Sequence, residues 1–455
     1  MLDDTIIAVS TPLGFGGLGV VRLSGRLSLQ IAKKIFKPKN KGHRIPPNCP
    51  TLGNLYDPGN KQSFEEALVT FFPKPRTYTC EDMIEISCHG SPVILEEVVR
   101  LGIKAGARHA APGEFTLRAY VNGRIDIIQA EAVNDIINAS SIEQAKISFR
   151  QLDGSLSKSA TSLRQDIINI LSKIEASIEF PDEGISVSPQ SIANTIQRAE
   201  KKVMAFISSY DLGRTLSQGL VLAIAGRKNV GKSTLFNALL QKTRAIVTPY
   251  PGTTRDYLQE TIKIKDALFT LTDMAGIGRP VHPVEKEGIE RGKRLASAGD
   301  GILLVLDSSR KLSPEDLELL DRFHDKKVIL LFNKSDLPTR MDLDIIKRSH
   351  KDTPALYVSA LKGTNIQDLK ELIFSHFVPP KKGNGDIILH LRQKLLFEDI
   401  YACLKKAKQR LKEGYSEEIF VEEIRKIIPL IGQLTGEIRD DDILDRVFNK
   451  FCVGK

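Results

Sequence analysis

Nine residues near the middle of the chain constrain its fold more than any other feature: Gly226-Arg-Lys-Asn-Val-Gly231-Lys232-Ser233-Thr234. The apolar run Val221–Ala225 precedes them and reads as a buried strand, while Leu235, Leu239 and Leu240 follow at helical spacing. A strand, a glycine-rich turn and a helix in that order make a phosphate-binding loop, because backbone N–H groups converge where the helix begins. Gly226 and Gly231 allow the backbone of the loop, with Asn229, Val230 and Thr234, to turn inward around phosphate oxygens. Lys232 would reach the β- and γ-phosphates, and the Ser233 hydroxyl would ligate Mg²⁺. The competing reading is a chance match in a Gly/Lys-rich loop, and the downstream sequence decides against it.

Leu330-Leu331-Phe332 leads into Asn333-Lys334-Ser335-Asp336, again a strand ending in a polar loop. A carboxylate at Asp336 can accept two hydrogen bonds from the N1–H and exocyclic amine of guanine, whereas adenine would leave it unpaired. Such a tetrapeptide alone also suits an ordinary turn and helix cap. It gains weight from its place about one hundred residues after the phosphate loop and behind a further strand at Ile302–Leu306. Ser359-Ala360, after Ala355–Val358, fits a loop that backs the guanine ring. Between these lie two segments suited to sensing the γ-phosphate. Gly252-Thr253-Thr254-Arg-Asp256 supplies a threonine for the metal, best placed at Thr254, and Asp273-Met274-Ala275-Gly276 ends the strand Phe269–Leu271. There Asp273 would hold Mg²⁺ through water, and the Gly276 N–H would bond the phosphate. In this order the elements specify a GTP-binding, doubly wound α/β domain over roughly 215–380.

Ras-like domains place a water-orienting glutamine after Asp-x-x-Gly, but here that position holds Ile277, which cannot polarise water. Hydrolysis therefore needs help from elsewhere. A K⁺ ion held by Asn229 and closed over by the Thr248–Thr253 segment could take the place of an arginine finger. Glu285, Glu287 and Glu290 are the nearest carboxylates able to position water, and their bland reading is a solvated helix face.

With 455 residues the chain is long enough for about three domains. Its 41% hydrophobic content is that of a globular protein, and no apolar run approaches the ~18–20 residues of a membrane span. The start, Met1-Leu2-Asp3-Asp4, is unlike a signal sequence. Cys49, Cys80, Cys88, Cys403 and Cys452 are odd in number and form no CxxC pair, which argues against a disulfide framework or zinc ribbon. These features lead to the expectation of a cytoplasmic protein. A net charge of +9 suits a nucleic-acid partner. Lys405, Lys406, Lys408, Arg410 and Lys412 crowd one helix end, where a lysine-rich solvated helix is the competing reading.

Two helical regions flank the GTP-binding domain. Leu152, Leu156, Ala160, Leu163, Ile167, Ile170, Ile174 and Ile178 step by three or four residues, which predicts one long amphipathic helix. Leu396, Ile400, Cys403, Leu404, Ala407 and Leu411 repeat the pattern, and a further stretch, Ile419 to Ile431, is expected to be interrupted at Pro429. Neither region can bury its stripe alone, so the two should pack together. In residues 1–120, short strand-like runs (Ile6–Val9, Gly19–Leu23, Ala67–Phe71, Met83–Ser87) alternate with helical stretches at Ser28–Phe36 and Ile94–Lys104. The expected fold is therefore multidomain α/β and α+β. An α+β domain (1–120) precedes a discontinuous helical domain (121–214 and 381–455), into which a P-loop GTPase domain (215–380) is inserted.

The segments Asp4-Thr-Ile-Ile-Ala, Thr11-Pro-Leu-Gly-Phe-Gly-Gly-Leu-Gly-Val-Val-Arg22, Pro112-Gly-Glu-Phe-Thr-Leu-Arg-Ala-Tyr-Val-Asn-Gly-Arg124 and Phe451-Cys-Val-Gly-Lys455 give the whole chain a specific likeness. It resembles the MnmE (TrmE) family, GTPases of tRNA wobble-uridine modification. The resemblance implies a homodimer that binds GTP with Mg²⁺ and uses K⁺ to drive dimerisation of its G domains and hydrolysis. It places the Mg²⁺ ligands at Ser233 and Thr254 and the K⁺ shell at Asn229, Thr248, Tyr250 and Thr253. It singles out Glu285 as the residue that helps position water. The N-terminal domain resembles a dimerising module for 5-formyl-tetrahydrofolate, with Arg22, Glu85, Arg124 and Lys455 as contacts. Glu85 alternates with Ile84 and Ile86 and should point away from their buried face. The resemblance further implies an FAD-dependent, MnmG (GidA)-like partner in a heterotetramer. Together they would add an aminomethyl- or carboxymethylaminomethyl-type group to C5 of tRNA uridine 34, and Cys452 is a candidate for a role in that chemistry. The chain departs from the family pattern at three places: Met274 stands in place of threonine, Arg124 where lysine is commoner, and Tyr250-Pro251 in the potassium loop. Two other readings are a ribosome-assembly GTPase of the Era or Der kind and a non-enzymatic folate-binding scaffold. The first lacks an appended RNA-binding motif after the GTP domain, and intact Lys232, Ser233 and Glu285 argue against the second.

Overall fold

The computed structural model describes residues 4–39, 42, 44–179, 188–240, 259–273, 299–381, 385–413, 417–438, 444 and 447–455. They form two compact units. One comprises Met1–Ile137, Ser148–Glu200 and Asp399–Lys455, and the other comprises Asn138–Ile147 and Lys201–Glu398.

The first unit opens with β1 (Ile6–Val9), β2 (Gly16–Ser24), α1 (Ser28–Ile35), β3 (Phe36–Pro38), β4 (Thr51–Tyr56), β5 (Ser63–Phe72), β6 (Met83–Gly90), α2 (Pro92–Lys104) and β7 (Arg108–His109). The strands form one sheet in the order β3-β4-β5-β6-β2-β1-β7. Its pairs are antiparallel apart from β1 with β7. Val21, Leu23, Val69, Ile84 and Ile86 project from one face into a core closed by Ile31 and Ile35 of α1 and by Leu95 and Val98 of α2. Period-two alternation then sends Glu85 to the opposite face, as its sequence neighbours led us to expect, and Arg22 with it. Strands β3, β4 and β7 add to the four strands legible in the sequence. They are short or polar, and pairing with neighbours defines them more than apolar pattern does.

The helical part of this unit contains α3 (Glu114–Val121), α4 (Ile127–Ile137), α6 (Ser155–Glu179) and parts of α5 (Ile142–Leu152) and α7 (Pro189–Gln218). From the far end of the chain come the second half of α12 (Leu391–Glu413), α13 (Glu417–Arg425) and α14 (Ile427–Thr435). The stripe expected to be one helix from Leu152 to Ile178 is a single helix, α6, from Leu156 onward, and only Leu152 lies before a break at Asp153-Gly154. Gly154 takes φ +85°, a left-handed conformation that ends α5 and costs a glycine little. The Gly154 N–H bonds to the Gln151 carbonyl at 3.0 Å as the new helix starts. The expected interruption at Pro429 is also displaced. The chain breaks at Lys426, and Pro429 sits in the first turn of α14, where no backbone donor is needed. Helices α13 and α14 pack on α6, whose Leu156, Ala160, Leu163, Ile167, Ile170, Leu171 and Ile174 are buried. Two segments far apart in sequence thus cover each other's apolar stripes.

The second unit is built on β8 (Leu220–Ala225), β9 (Gln259–Ile264), β10 (Ala267–Asp273), β11 (Gly301–Asp307), β12 (Val328–Asn333) and β13 (Ala355–Tyr357), ordered β13-β12-β11-β8-β10-β9. All pairs are parallel apart from β9 with β10. Helices α8 (Lys232–Leu240) and α11 (Ile366–Phe377) cover one face, and α9 (Pro314–Arg322) and α10 (Leu343–Ser349) the other. A sheet buried on both faces explains why β11 and β12 read as unbroken apolar runs. Leu212 and Leu216 of α7 join this core with Ile387 and Leu389.

Ile167→Ala should lower the stability of the first unit by roughly 2–5 kcal/mol, because Ile167 is fully buried and its loss leaves a cavity. On the same helix Ile178 is 37% exposed, and Ile178→Ala should cost under about 1 kcal/mol. Urea unfolding followed by circular dichroism checks both; equal midpoints would remove α6 from the core.

Candidate functional site

The phosphate-binding loop leaves β8 at Gly226 (φ +147°) and enters α8 through Gly231 (φ +97°). Both glycines are required by space as well as by φ. A Cβ on Gly226 would overlap the Val305 carbonyl, and one on Gly231 would overlap the Asn333 side chain. The Lys232 ammonium folds back over the loop and donates to the Gly226 and Arg227 carbonyls at 2.8 and 2.9 Å. Burial lowers its pKa, with the nearby Asp273 carboxylate opposing. At the start of α8 the Ser233 hydroxyl donates to Asp273 Oδ2 at 3.0 Å. A hydroxyl and a carboxylate, both hard oxygen donors, meet at the carboxyl ends of β8 and β10, which is chemistry that fits Mg²⁺. Thr234 is exposed beside them.

Asn333 ties the site together. Its amide donates from Nδ2 to the Val230 carbonyl at 2.8 Å and accepts at Oδ1 from the Ala360 N–H at 3.0 Å. Lys334 follows in a left-handed conformation (φ +66°) and reaches the carbonyl of Asn229, itself at φ +67°, at 3.0 Å. Asp336 accepts from the Ser359 hydroxyl at 2.5 Å, and this bond, ahead of nearby lysines, holds its pKa below the ordinary carboxylate value. The structure therefore brings together Gly226, Asn229, Val230, Gly231, Lys232, Ser233, Thr234, Asp273, Asn333, Lys334, Asp336, Ser359 and Ala360 at one end of the sheet. Thr248, Tyr250, Thr253, Thr254, Gly276 and Glu285 lie outside the described residues, as do Met274, Ile277, Glu287 and Glu290. The sequence motifs passed over Asp307, whose carboxylate pairs with Lys334 at 2.7 Å. Its only sequence signal was an aspartate at the end of an apolar run.

The second candidate site lies in the N-terminal sheet. A cavity of about 550 Å³ is lined by Tyr78, Cys80, Glu85, Asn122 and Arg124, among others. Glu85 is held by Arg22, its register partner, at 2.7 Å. Arg124 donates to the Tyr78 carbonyl at 2.9 Å and lies 4.9 Å above the Tyr78 ring. An aromatic face, a carboxylate and guanidinium groups suit a flat heteroaromatic ligand with an acidic tail. Glu85 and Arg124 line the cavity, Arg22 adjoins it through Glu85, and Lys455 is not among the lining residues. The tail instead docks nearby on the same unit. Val453 bridges Pro112, the Ser10 hydroxyl donates to the Gly454 carbonyl at 3.1 Å, and Gly454 has no room for a Cβ against the Val9 carbonyl. Phe451 is buried with Tyr120 and Phe448, leaving Cys452 exposed.

One wall of the cavity is braced by a group that sequence reasoning missed. Arg118, 1% exposed, donates to Asp4 at 2.6 Å, Glu114 at 3.0 Å and Glu81 at 3.1 Å. Glu81 also accepts from Ser24, and Asn122 donates to the Thr79 carbonyl, so the segment carrying Tyr78 and Cys80 is anchored on both sides. A buried arginine with three carboxylate partners is a costly arrangement to break.

Residues 5–124 match the family described as GTP-binding protein TrmE N-terminus, and residues 127–452 match the MnmE helical domain. A tRNA modification GTPase MnmE from Syntrophus aciditrophicus is 38% identical over all of both chains. The chain belongs to the MnmE family. Other relatives named tRNA modification GTPase MnmE include those of Aquifex aeolicus, 37% identical over all of both chains, and Thermotoga maritima, 38% identical over 99% of this chain and all of that one. As a member of the MnmE family, it is a GTPase engaged in tRNA modification, with GTP as substrate. No helix among the described residues is long and apolar enough to cross a membrane.

Asp336→Asn replaces a double acceptor with an amide and should weaken GTP binding by roughly 10- to 100-fold while favouring xanthosine triphosphate. Competition titrations with the two nucleotides measure this, and an unchanged preference would remove Asp336 from base reading.

Proposed function

We propose that this protein is a homodimeric, K⁺-dependent GTPase that works with an FAD-containing, MnmG-like partner in a heterotetramer to modify C5 of uridine 34 in tRNA. The added group is of the aminomethyl or carboxymethylaminomethyl type. In this reading the GTPase domain of 215–380 is inserted between helical halves 121–214 and 381–455, after the folate-binding domain of 1–120. The observation that carries it is the junction of Asn229, Asn333 and Lys334 described above, in a chain that matches its relatives from end to end.

Gly226, Gly231 and Lys232 bind the phosphates, while Asp336, Ser359 and Ala360 receive the base. Ser233 and Thr254 would hold Mg²⁺, with Asp273 behind them and the Gly276 N–H on the γ-phosphate. Asn229 would hold K⁺ with oxygens of Thr248, Tyr250 and Thr253, and the ion would supply positive charge against the phosphates during hydrolysis. Ile277 cannot orient water, so Glu285 positions it. In the N-terminal domain Glu85 meets the donor edge of a pterin ring, and Arg22, Arg124 and Lys455 attract the acidic tail. A 5-formyl-tetrahydrofolate there would serve as one-carbon donor.

Two experiments test this reading. GTP turnover should be about 10²-fold faster in K⁺ than in Na⁺, the usual range for a charge aimed at a transition state, since the smaller Na⁺ fits the same oxygens poorly. Asn229→Ala should lose that stimulation yet keep most nucleotide affinity; equal rates in both salts would exclude a potassium site. For the tRNA reaction, wobble nucleosides are measured in tRNA from a strain lacking the protein and complemented with either form. The native chain should restore the modified nucleoside. Cys452→Ser should not, although its GTP hydrolysis continues; normal modification by that variant would reduce Cys452 to a bystander.

A further inference from the structure

Asp307 is buried at the end of β11, directly across the sheet from Asn333 on β12. Its Oδ1 is taken up by the next turn, accepting from the Ser309 N–H at 3.0 Å and the Ser309 hydroxyl at 2.6 Å. That leaves Oδ2 fixed in direction, and Oδ2 accepts from the Lys334 ammonium at 2.7 Å. Arg310, largely exposed, lies farther from the same oxygen at 3.7 Å. The turn itself is laced to the guanine-side loop, because the Ser308 N–H and hydroxyl both donate to the Asn333 carbonyl. Burial opposes the charge on Asp307, but Lys334 and Ser309 outweigh it and keep the carboxyl below its ordinary pKa.

A carboxylate needed only to close its own turn would use Ser309 alone. Here the second oxygen is aimed at a lysine whose ammonium also meets the Asn229 carbonyl at 3.0 Å. Asn229 and Lys334 are both non-glycine residues in the left-handed region, a conformation that persists only when neighbours over-determine it. We propose that Asp307 is a positioning residue for nucleotide binding: it pins Lys334 across Asn229 and thereby makes the conformation of the phosphate loop depend on the guanine-side loop. The proposal rests on the reading of Lys334 and Asn229 as nucleotide-site residues and adds the group that holds them in register.

The test is a double-mutant cycle on the full chain, read by titration with fluorescent GDP in Mg²⁺. Asp307→Asn and Lys334→Ala should each weaken GDP by about tenfold, the range for losing a bond to a charged group. Because Asp307 acts through Lys334, the double variant should bind no worse than the weaker single one. Ser309→Ala, which loosens the turn without touching the Lys334 pair, should bind GDP within about threefold of the native chain. Asp307→Ser carries the same cycle if Asp307→Asn is not recovered folded. An additive loss of about hundredfold, or native GDP affinity in Asp307→Asn while Lys334→Ala is impaired, would overturn the proposal. Native affinity in Lys334→Ala would overturn the underlying reading of the site as well.

Discussion

The nucleotide end of this protein depends on one buried amide. Asn333 joins the phosphate loop through Val230 and the Ser359-Ala360 loop through Ala360, while its own backbone continues β12. Three loops that leave three different strands are therefore held at hydrogen-bond distance by a single side chain. Such a group is expensive to leave half-satisfied, because either orphaned partner would keep its desolvation cost. The absence of a side chain at Gly231 belongs to the same arrangement, since a Cβ there would occupy the space of the Asn333 amide. The parallel sheet makes this possible by bringing the carboxyl ends of its strands side by side.

The N-terminal unit solves a comparable problem with charge instead of an amide. The buried Arg118 guanidinium binds Asp4, Glu81 and Glu114, and the loop bearing Tyr78 and Cys80 hangs from that network. Asp4 and Glu114 are both held below their ordinary pKa. For Asp4 the hydrogen bond from Arg108 is the largest influence, and for Glu114 burial opposes the shift while bonds from Arg108, Ala111 and Arg118 prevail. Asp4 and Glu114 thus stay ionised at neutral pH, and their bonds to the arginines should be lost only on acidification below the ordinary carboxylate range. The cavity it borders uses the sheet face opposite the core. One strand, β6, therefore serves both: Ile84 and Ile86 support the fold and Glu85 faces the cavity.

Much of this was legible in order along the chain. The spacing of Gly226, Gly231 and Lys232 announced a strand, a loop and a helix, because few other residue patterns tolerate that turn. The alternation of Ile84, Glu85 and Ile86 assigned faces correctly, since a strand has a period of two. The long stripe misled only at its start, for a physical reason: Leu156 to Ile178 lie on the single helix α6, while Leu152 ends α5. Apolar spacing reports which face is buried, and two successive helices with a glycine between them can keep the same spacing. Pro429 misled for a related reason, because proline breaks a helix only beyond its first turn. Asp307 and Arg118 gave no usable signal, because a charge acquires its meaning from the partners that folding delivers.

The sequence by itself therefore determined the class of each domain, the nucleotide chemistry and the family, because these follow from local spacing and from motifs that a short stretch can carry. Only the tertiary structure decided that Asn333 would fasten two loops, that Lys334 would lie between Asp307 and Asn229, and that the carboxyl-terminal tail would dock beside Val9 and Pro112. Those contacts join residues separated by tens to hundreds of positions. Their geometry is set by strand order and helix packing, which no local pattern encodes.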